Sequence, residues 1–423
     1  MSITKHPKLA VIGQGYVGLP LAMRAVDAGY DVVGIDFDTL RIGMLAEGHS
    51  YVDDISNEVL QAALASGRYR PVTEYGPAEG FDFAVITVPT PLRDAMPDLS
   101  YIESATRSLA PLLTPGATII LESTTYPGTT QELMVPLLEE LTGLTGGVDF
   151  FAGYSPERID PGNQKFSFKT TPKIVSGINE ASLERVDRLF SDLVDTTVPV
   201  SSPREAEMAK LLENTFRHVN VALVNELAMY ANELGVNVWE TIDAAATKPF
   251  GFMKFTPGPG VGGHCLPIDP SYLSWKVKTE LGRDFRFVDL ANDVNEHMPE
   301  YVVRRAMDVL NEHSKAMRGS KVLVVGVAYK KDSNDARESP AVHVIKLLND
   351  YGAEVIGIDS HVEEHRWPAG ARRAELTAEL VAEADLAILV TDHSDIDVSL
   401  LQGVGTPVFD TRNTLSGDNI TRL

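Results

Sequence analysis

Cysteine is almost absent: one residue, Cys265, in a chain of 423. A single thiol excludes an intrachain disulfide framework, and unpaired thiol usage fits a reducing compartment, so a cytoplasmic location is expected. No apolar stretch reaches the length of a membrane span, and Met1 to Lys8 has no apolar signal core, so no membrane association is expected. Positive charge is scarce beside negative: 37 Lys and Arg against 59 Asp and Glu, a net charge of −22. Nucleic-acid binding depends on neutralising phosphates with basic side chains, so that class is excluded. Any anionic ligand must meet locally concentrated positive charge. The rest of the composition, 44% hydrophobic and 23% charged, is that of an ordinary globular chain long enough for two or three domains.

What the chain does contain is a repeated strand-helix pattern. Residues Lys8 to Gly13 form a short apolar run ending at glycine, which suits a buried parallel strand. Asp31 to Asp36 repeats it after a segment rich in Ala, Leu and Met, and further strands are predicted over Phe83 to Val88 and Thr118 to Glu122. Strands alternating with helices give a doubly wound α/β domain over residues 1–202. From Pro203 to about Leu234 one helical pattern runs with almost no breaker. Leu211, Leu212, Thr215, Val219, Ala222, Leu223 and Leu227 recur along it at three-to-four spacing, which predicts one broad apolar face. At about 1.5 Å per residue this helix spans roughly 45 Å. It opens a helical middle over residues 203–318. Beyond it, Lys321 to Gly326 and Gly352 to Asp359 echo Lys8 to Gly13 and Gly29 to Asp36. The expected fold is two Rossmann-like doubly wound domains joined by a long central helix and a helical middle domain, the second copy covering 319–423. That copy has Tyr329-Lys330-Lys331-Asp332 in place of the later glycines, so it is predicted to bind an anion with side chains.

Gly13-Gln14-Gly15-Tyr16-Val17-Gly18 matches the dinucleotide fingerprint, follows a predicted strand, opens a predicted helix and is succeeded by Asp36. Glycines permit a tight turn and close approach of a pyrophosphate to a helix N-terminus, and the carboxylate holds ribose hydroxyls. Asp36 would repel a 2′-phosphate, so the cofactor expected is NAD. Cys265 sits in Gly258-Pro259-Gly260-Val261-Gly262-Gly263-His264-Cys265-Leu266-Pro267-Ile268-Asp269-Pro270. Backbone N–H groups of such a loop can approach a substrate and steady an oxyanion, so the thiol reads as a nucleophile, with a structural free cysteine the alternative. His264 is a poor base for it, because neighbours in an extended loop point apart. One cysteine and scattered histidines give no ligand spacing, and no metal is expected.

Lys210, Asn214 and Arg217 fall on one face of the long helix, where lysine and asparagine can steady a developing alkoxide; a solvated face is the alternative. Glu122-Ser123-Thr124-Thr125 and Ser155-Pro156-Glu157-Arg158 are polar clusters near predicted strand ends, where doubly wound folds place ligands. Asp269 can hold water or share protons, a helix cap being its bland counterpart.

With these motifs the chain resembles the UDP-sugar 6-dehydrogenases over essentially its whole length. The resemblance implies catalytic roles for Cys265, Asp269, Lys210, Asn214, Glu157 and Thr124. It implies cofactor contacts from Gly13, Gly15, Tyr16, Val17, Gly18, Asp36, Pro89, Thr90, Thr124 and Arg337. For the sugar nucleotide it implies Glu157, Arg158, Lys210, Asn214, Arg217, Phe252, Gly262, Gly263, Lys330 and Arg412. Tyr154 to Asn163, Thr247 to Met253 and Gly263-His264-Cys265 are similar to the UDP-N-acetylglucosamine branch. UDP-glucose and UDP-N-acetylmannosamine are the alternative substrates, and a non-catalytic dinucleotide-binding sensor is the alternative outside the enzyme class. The implied chemistry is a four-electron oxidation of a primary alcohol to a carboxylate with two NAD, through a thiohemiacetal and a thioester on Cys265, in a homodimer or higher homo-oligomer.

Overall fold

The computed structural model describes residues 6–52, 54–93, 96–159, 165–263, 266 and 268–423. The chain resolves into two compact units, Met1–Glu213 and Asn214–Leu423.

The first unit contains strands β1 (Lys8–Ile12), β2 (Asp31–Ile35), β3 (Tyr69–Val72) and β4 (Phe83–Ile86), the short hairpin β5 (Leu92–Arg93) and β6 (Met96–Pro97), then β7 (Thr118–Leu121), β8 (Phe151–Tyr154), β9 (Lys173–Gly177) and β10 (Thr197–Pro199). Helices α1 (Gly18–Asp27), α2 (Thr39–Ala46), α3 (Asn57–Ala65), α4 (Ser100–Leu109), α5 (Val135–Thr142) and α6 (Glu180–Leu193) lie between them in sequence. The main sheet runs β10-β9-β8-β7-β4-β1-β2-β3. Its members are buried on both faces, as βαβ crossovers require: Ala10, Ile12, Ala84 and Ile86 join Ile102, Leu109 and Leu138 on one side. Leu9, Val11, Phe83 and Val85 join Leu19, Ala22, Val186 and Phe190 on the other. One step breaks the parallel pattern, because β8 and β9 pair antiparallel through Gly153↔Gly177 and Tyr154↔Ser176. An antiparallel pair needs no crossover helix, and the described residues between these strands form none.

Helix α7 (Pro203–Glu233) is 31 residues long, as its unbroken pattern predicts. The single broad apolar face expected of it is corrected. Leu211, Thr215 and Ala222 are buried, whereas Leu212, Leu223 and Leu227 are exposed. Three-to-four spacing from Leu211 to Leu227 spreads these residues over two stripes, of which one is buried and the other exposed.

The second unit continues with α8 (Val238–Ala246), α9 (Asp269–Leu281) and α10 (Arg286–Glu312). It ends in an all-parallel sheet of β11 (Lys321–Val325), β12 (Glu354–Ile358), β13 (Arg372–Arg373), β14 (Leu386–Leu389), β15 (Val408–Asp410) and β16 (Ile420–Arg422), ordered β13-β12-β11-β14-β15-β16. Helices α11 (Pro340–Asp350) and α12 (Ala378–Glu383) complete it. Val322 and Val324 pack with Val302 and Val309 of α10 and Val344 of α11, while Leu323 and Val325 face Val381 and Leu401. Two doubly wound α/β sheets with a helical stretch between them in sequence is the expected architecture.

Candidate active site

The glycine turn after β1 has three different physical demands at its three glycines. Gly13 has φ 95°, and a Cβ there would lie 2.7 Å from the Thr87 carbonyl oxygen. A Cβ on Gly18 would lie 1.9 Å from the carbonyl oxygen of Gly13, so only glycine lets α1 start this close to β1. A Cβ on Gly15 would meet no protein atom within 4 Å. Its lack of a side chain therefore answers to nothing in the protein and suits a pyrophosphate laid against bare backbone. Asp36 follows β2 and accepts hydrogen bonds from the Gln14 and Asp38 N–H groups at 2.8 and 3.0 Å. Gln14 itself is buried, held by the Tyr69 hydroxyl at 2.7 Å, and fits only because Gly34 leaves room beside it. Pro89 and Thr90 follow β4, which neighbours β1 in the sheet. The residues present fit an NAD at the carboxyl ends of β1 and β2.

Two polar clusters of the sequence meet at the carboxyl ends of β7 and β8. Glu122 and Glu157 both bond the Lys173 ammonium, Glu157 at 3.0 Å. The side chains are 0%, 12% and 4% exposed respectively. Glu157 Oε1 also accepts the N–H groups of Arg158 and Ile159, each at 2.6 Å. Burial pushes Glu122 up to about 8, with Glu157 beside it adding to the rise and Lys173 opposing it. Burial acts on Glu157 in the same sense, but the Lys173 charge and hydrogen bonds from Glu122, Lys173 and Ile159 outweigh it and hold Glu157 below the usual carboxylate range. The opposite directions of the two shifts favour a proton on Glu122 over one on Glu157. Lys210 of α7 donates to the Glu157 carbonyl oxygen at 2.6 Å, and Arg158 is held by Glu213 at 2.6 Å. Thr124 is half-buried, while its neighbour Thr125 is buried with Oγ1 2.6 Å from that of Thr129.

In the second unit Asn214 donates to Asp269 Oδ2 at 2.5 Å. Both are buried, and Asp269 opens α9, where the helix dipole favours its charge. Arg217, expected on the same helical face, is exposed. Cys265 and His264 lie outside the described residues, but the chain leading to them is placed. Gly258 N–H donates to Asn225 at 2.9 Å, and a Cβ on Gly258 would come within 3.1 Å of the Arg412 guanidinium. Cβ atoms on Gly262 and Gly263 would strike the Glu338 carbonyl oxygen and the Tyr329 ring, each at 2.7 Å. Glycine is therefore required in this loop by packing against residues 329–340, a demand that the sequence reading, which looked to substrate approach alone, did not contain. Phe252 is 42% exposed, with Phe250 and Met253 more so.

Arg412 donates through Nε to the Val390 carbonyl oxygen at 2.5 Å, Arg337 forks onto Asp335 at 2.9 and 2.8 Å, and Lys330 is half-buried. Asp359, the counterpart of Asp36, is used internally: it accepts from the N–H groups of Val327, Ala328, His361 and Val362 and from His393 Nε2 at 2.9 Å. Burial raises its carboxyl, but these bonds together hold it far below the usual range. This carboxylate is committed to its own loops, which is the physical difference between the two copies of the pattern. Among the described residues, Asp332, His361, His393 and Asp395 bring one ligand atom each within 4.8 Å of one another. Asp332 N–H donates to His393 Nδ1 at 3.0 Å, so both nitrogens of His393 are engaged and the group reads as a hydrogen-bonded knot.

Lys173 was not found from the sequence; its signal is a lysine heading the apolar run Lys173-Ile174-Val175. Glu207 was missed too. It lies buried on α7 and accepts from the N–H groups of Gly128 at 2.5 Å and Thr130 at 2.9 Å and from the Thr130 hydroxyl at 2.7 Å.

Comparison with known proteins meets this geometry. Residues 7–194 match the NAD binding domain of the UDP-glucose/GDP-mannose dehydrogenase family, 204–297 its central domain and 323–417 its UDP binding domain. The UDP-N-acetyl-D-mannosamine dehydrogenase of Pyrococcus horikoshii is 36% identical over 94% of this chain and 92% of its own. A UDP-N-acetyl-D-glucosamine 6-dehydrogenase of Pseudomonas aeruginosa is 36% identical over 85% of this chain and 84% of its own. The solved structure of the Pyrococcus horikoshii UDP-D-ManNAc dehydrogenase superposes with a TM-score of 0.89 at 34% identity, covering 98% of both chains. From sequence pattern, fold and these matches, the chain belongs to the UDP-glucose/GDP-mannose dehydrogenase family and is an NAD-dependent UDP-sugar dehydrogenase.

Proposed function

We propose that the chain oxidises the C6 hydroxyl of a UDP-N-acetylhexosamine to the carboxylate, with Cys265 holding the intermediate between two oxidations. The observation that carries this is the buried pair of Asp269, at the start of α9, and Asn214, on the helix that also bears Lys210, in a chain that matches all three domains of the family. Parts 1–202, 203–318 and 319–423 take the NAD, the central helices with the cysteine loop, and the UDP group. Bound NAD supplies the hydride acceptor in both oxidations. The residues of the chain do the rest. The C6 hydroxyl proton passes to water held near Asp269 and Lys210. The Cys265 thiolate adds to the aldehyde carbon, and the second oxidation leaves a thioester. Water then adds to its carbonyl carbon, Glu157 takes the water proton, the C–S bond breaks and Cys265 leaves as thiolate.

The gluco configuration is implied by residues 154–163 and 247–253. Phe250, Phe252 and Met253 offer exposed apolar surface for an acetamido methyl, typically about 1 to 3 kcal/mol of discrimination. The likeness to the Pyrococcus horikoshii enzyme over 98% of both chains favours the manno epimer as a second reading. The exposed Phe216, Leu223, Leu227 and Tyr230 on α7 support a homodimer formed through that helix.

NADH formation with UDP-N-acetylglucosamine, UDP-N-acetylmannosamine and UDP-glucose tests all of this. Two NADH per sugar and preference for an acetamido sugar are expected. Preference for UDP-glucose overturns the substrate, one NADH per sugar overturns the mechanism, and no NADH from any sugar returns the chain to a sensor.

A further inference from the structure

We propose that Glu122 and Lys173 are positioning residues for Glu157, forming a buried triad that fixes the orientation of Glu157 and sets its charge for thioester hydrolysis. This rests on the reading of Glu157 as the base in that step.

Three observations converge on the triad. The Lys173 side chain is 4% exposed and its Nζ bonds both carboxyls at once, and the rings of Phe190 and Phe168 stand 5.1 and 5.3 Å from Nζ, which covers the site on that side. Glu122 is wholly buried and its Oε2 has no hydrogen-bond partner, as fits a carboxyl that burial keeps protonated. Glu157 is the most exposed of the three, at 12%. The groups facing Glu157 are Glu122 from the end of β7, Lys173 from β9, the Lys210 ammonium on its carbonyl oxygen, and Arg158, which Glu213 occupies.

The sharing of one proton gives the pair a direction of response. With Glu122 protonated, one carboxylate faces one ammonium and Glu157 is a weak base. When Glu122 ionises, two carboxylates face each other across Lys173, and their repulsion makes Glu157 the stronger proton acceptor. Hydrolysis is therefore expected to quicken as pH rises through the ionisation of Glu122, which burial shifts above the usual carboxylate range.

Rapid-quench mass spectrometry of the Cys265-bound sugar adduct, with the full-length protein, NAD and UDP-sugar, separates hydrolysis from the earlier thiol attack. The native adduct is expected to decay faster as pH rises from about 7 to about 9. Glu122→Gln, which cannot ionise, is expected to abolish that rise. Lys173→Met is expected to slow decay about 100-fold or more so that the adduct accumulates, and Lys173→Arg to restore most of it. Folding is checked by circular dichroism and NAD binding. If Lys173→Met does not fold, Glu122→Gln, which preserves shape, decides alone. A native-like pH rise in Glu122→Gln overturns the proposal. Glu157→Gln is the control on the underlying reading: if its adduct decays at the native rate, Glu157 is not the base, whereas accumulation there with unchanged Glu122→Gln behaviour sinks the triad and leaves the base standing.

Discussion

The Asn214 amide and the Asp269 carboxylate are joined at 2.5 Å although 55 positions separate them in sequence. A residue of α7 thereby fixes the carboxylate that opens α9, four residues after the cysteine. A hydrogen bond to a charged acceptor is worth about 1.5 to 3 kcal/mol.

Asn214→Ala is accordingly expected to lower kcat by about tenfold or more while KM for the UDP-sugar changes little, if the bond orients the carboxylate proposed to act in the reaction. Steady-state kinetics decides it. A change confined to KM reassigns the pair to substrate binding.

The glycine turn predicts two opposite phenotypes. Gly18→Ala places a methyl 1.9 Å from the Gly13 carbonyl oxygen, so the melting temperature should fall and NAD binding with it. Gly15→Ala meets no protein atom, so the fold should melt as the native does while NAD affinity drops. Calorimetric titration and thermal unfolding of both variants measure this, and undiminished NAD binding by Gly15→Ala would falsify its assignment to the pyrophosphate.

Asp36→Asn keeps an oxygen for the Gln14 and Asp38 N–H groups and removes the charge. NAD should bind more weakly and NADP less poorly, narrowing the ratio of their kcat/KM values. Equal use of both cofactors by the native protein would remove the reading of this carboxylate.

Glu207 gives a pH dependence of stability. Burial raises its carboxyl from 4.5 to about 7, against the pull of the Gly128 and Thr130 donors. The folded chain therefore keeps a proton that the unfolded chain releases, and stability from this site falls as pH climbs from about 4.5 to about 7, by on the order of 3 kcal/mol. Urea unfolding of the native protein and of Glu207→Gln should differ in pH slope across that window. Parallel slopes would show that Glu207 does not titrate there.

Periodicity and punctuation made both α/β patterns, the unbroken α7 and the glycine turn legible, because each depends on local residue choice. The reach of the sequence ended where three distant segments had to be brought to one point. Lys173 reads as an ordinary strand residue until β9 is seen beside β8, and among the described residues the antiparallel turn-back that puts it there has no helical crossover to announce it. The two stripes of α7 were merged for a related reason: leucine at helical spacing has the same appearance whether it packs within the chain or faces outward. Asp359 copies Asp36 in sequence but not in role, since the histidine that occupies it, His393, comes 34 positions later.

The glycines at 260–263 rest on Tyr329, Glu338 and Pro340, and Gly258 on Arg412, so the approach to Cys265 is moulded on residues that come much later in the chain. A substitution at Tyr329 that displaced Gly263 would therefore be scored by an activity assay as damage to the nucleophile, though the thiol itself were intact. Sequence variation around 329–340 has two masters at once, the nucleotide it is proposed to bind and the shape of a reactive loop. Changes there should be tolerated only when they satisfy both.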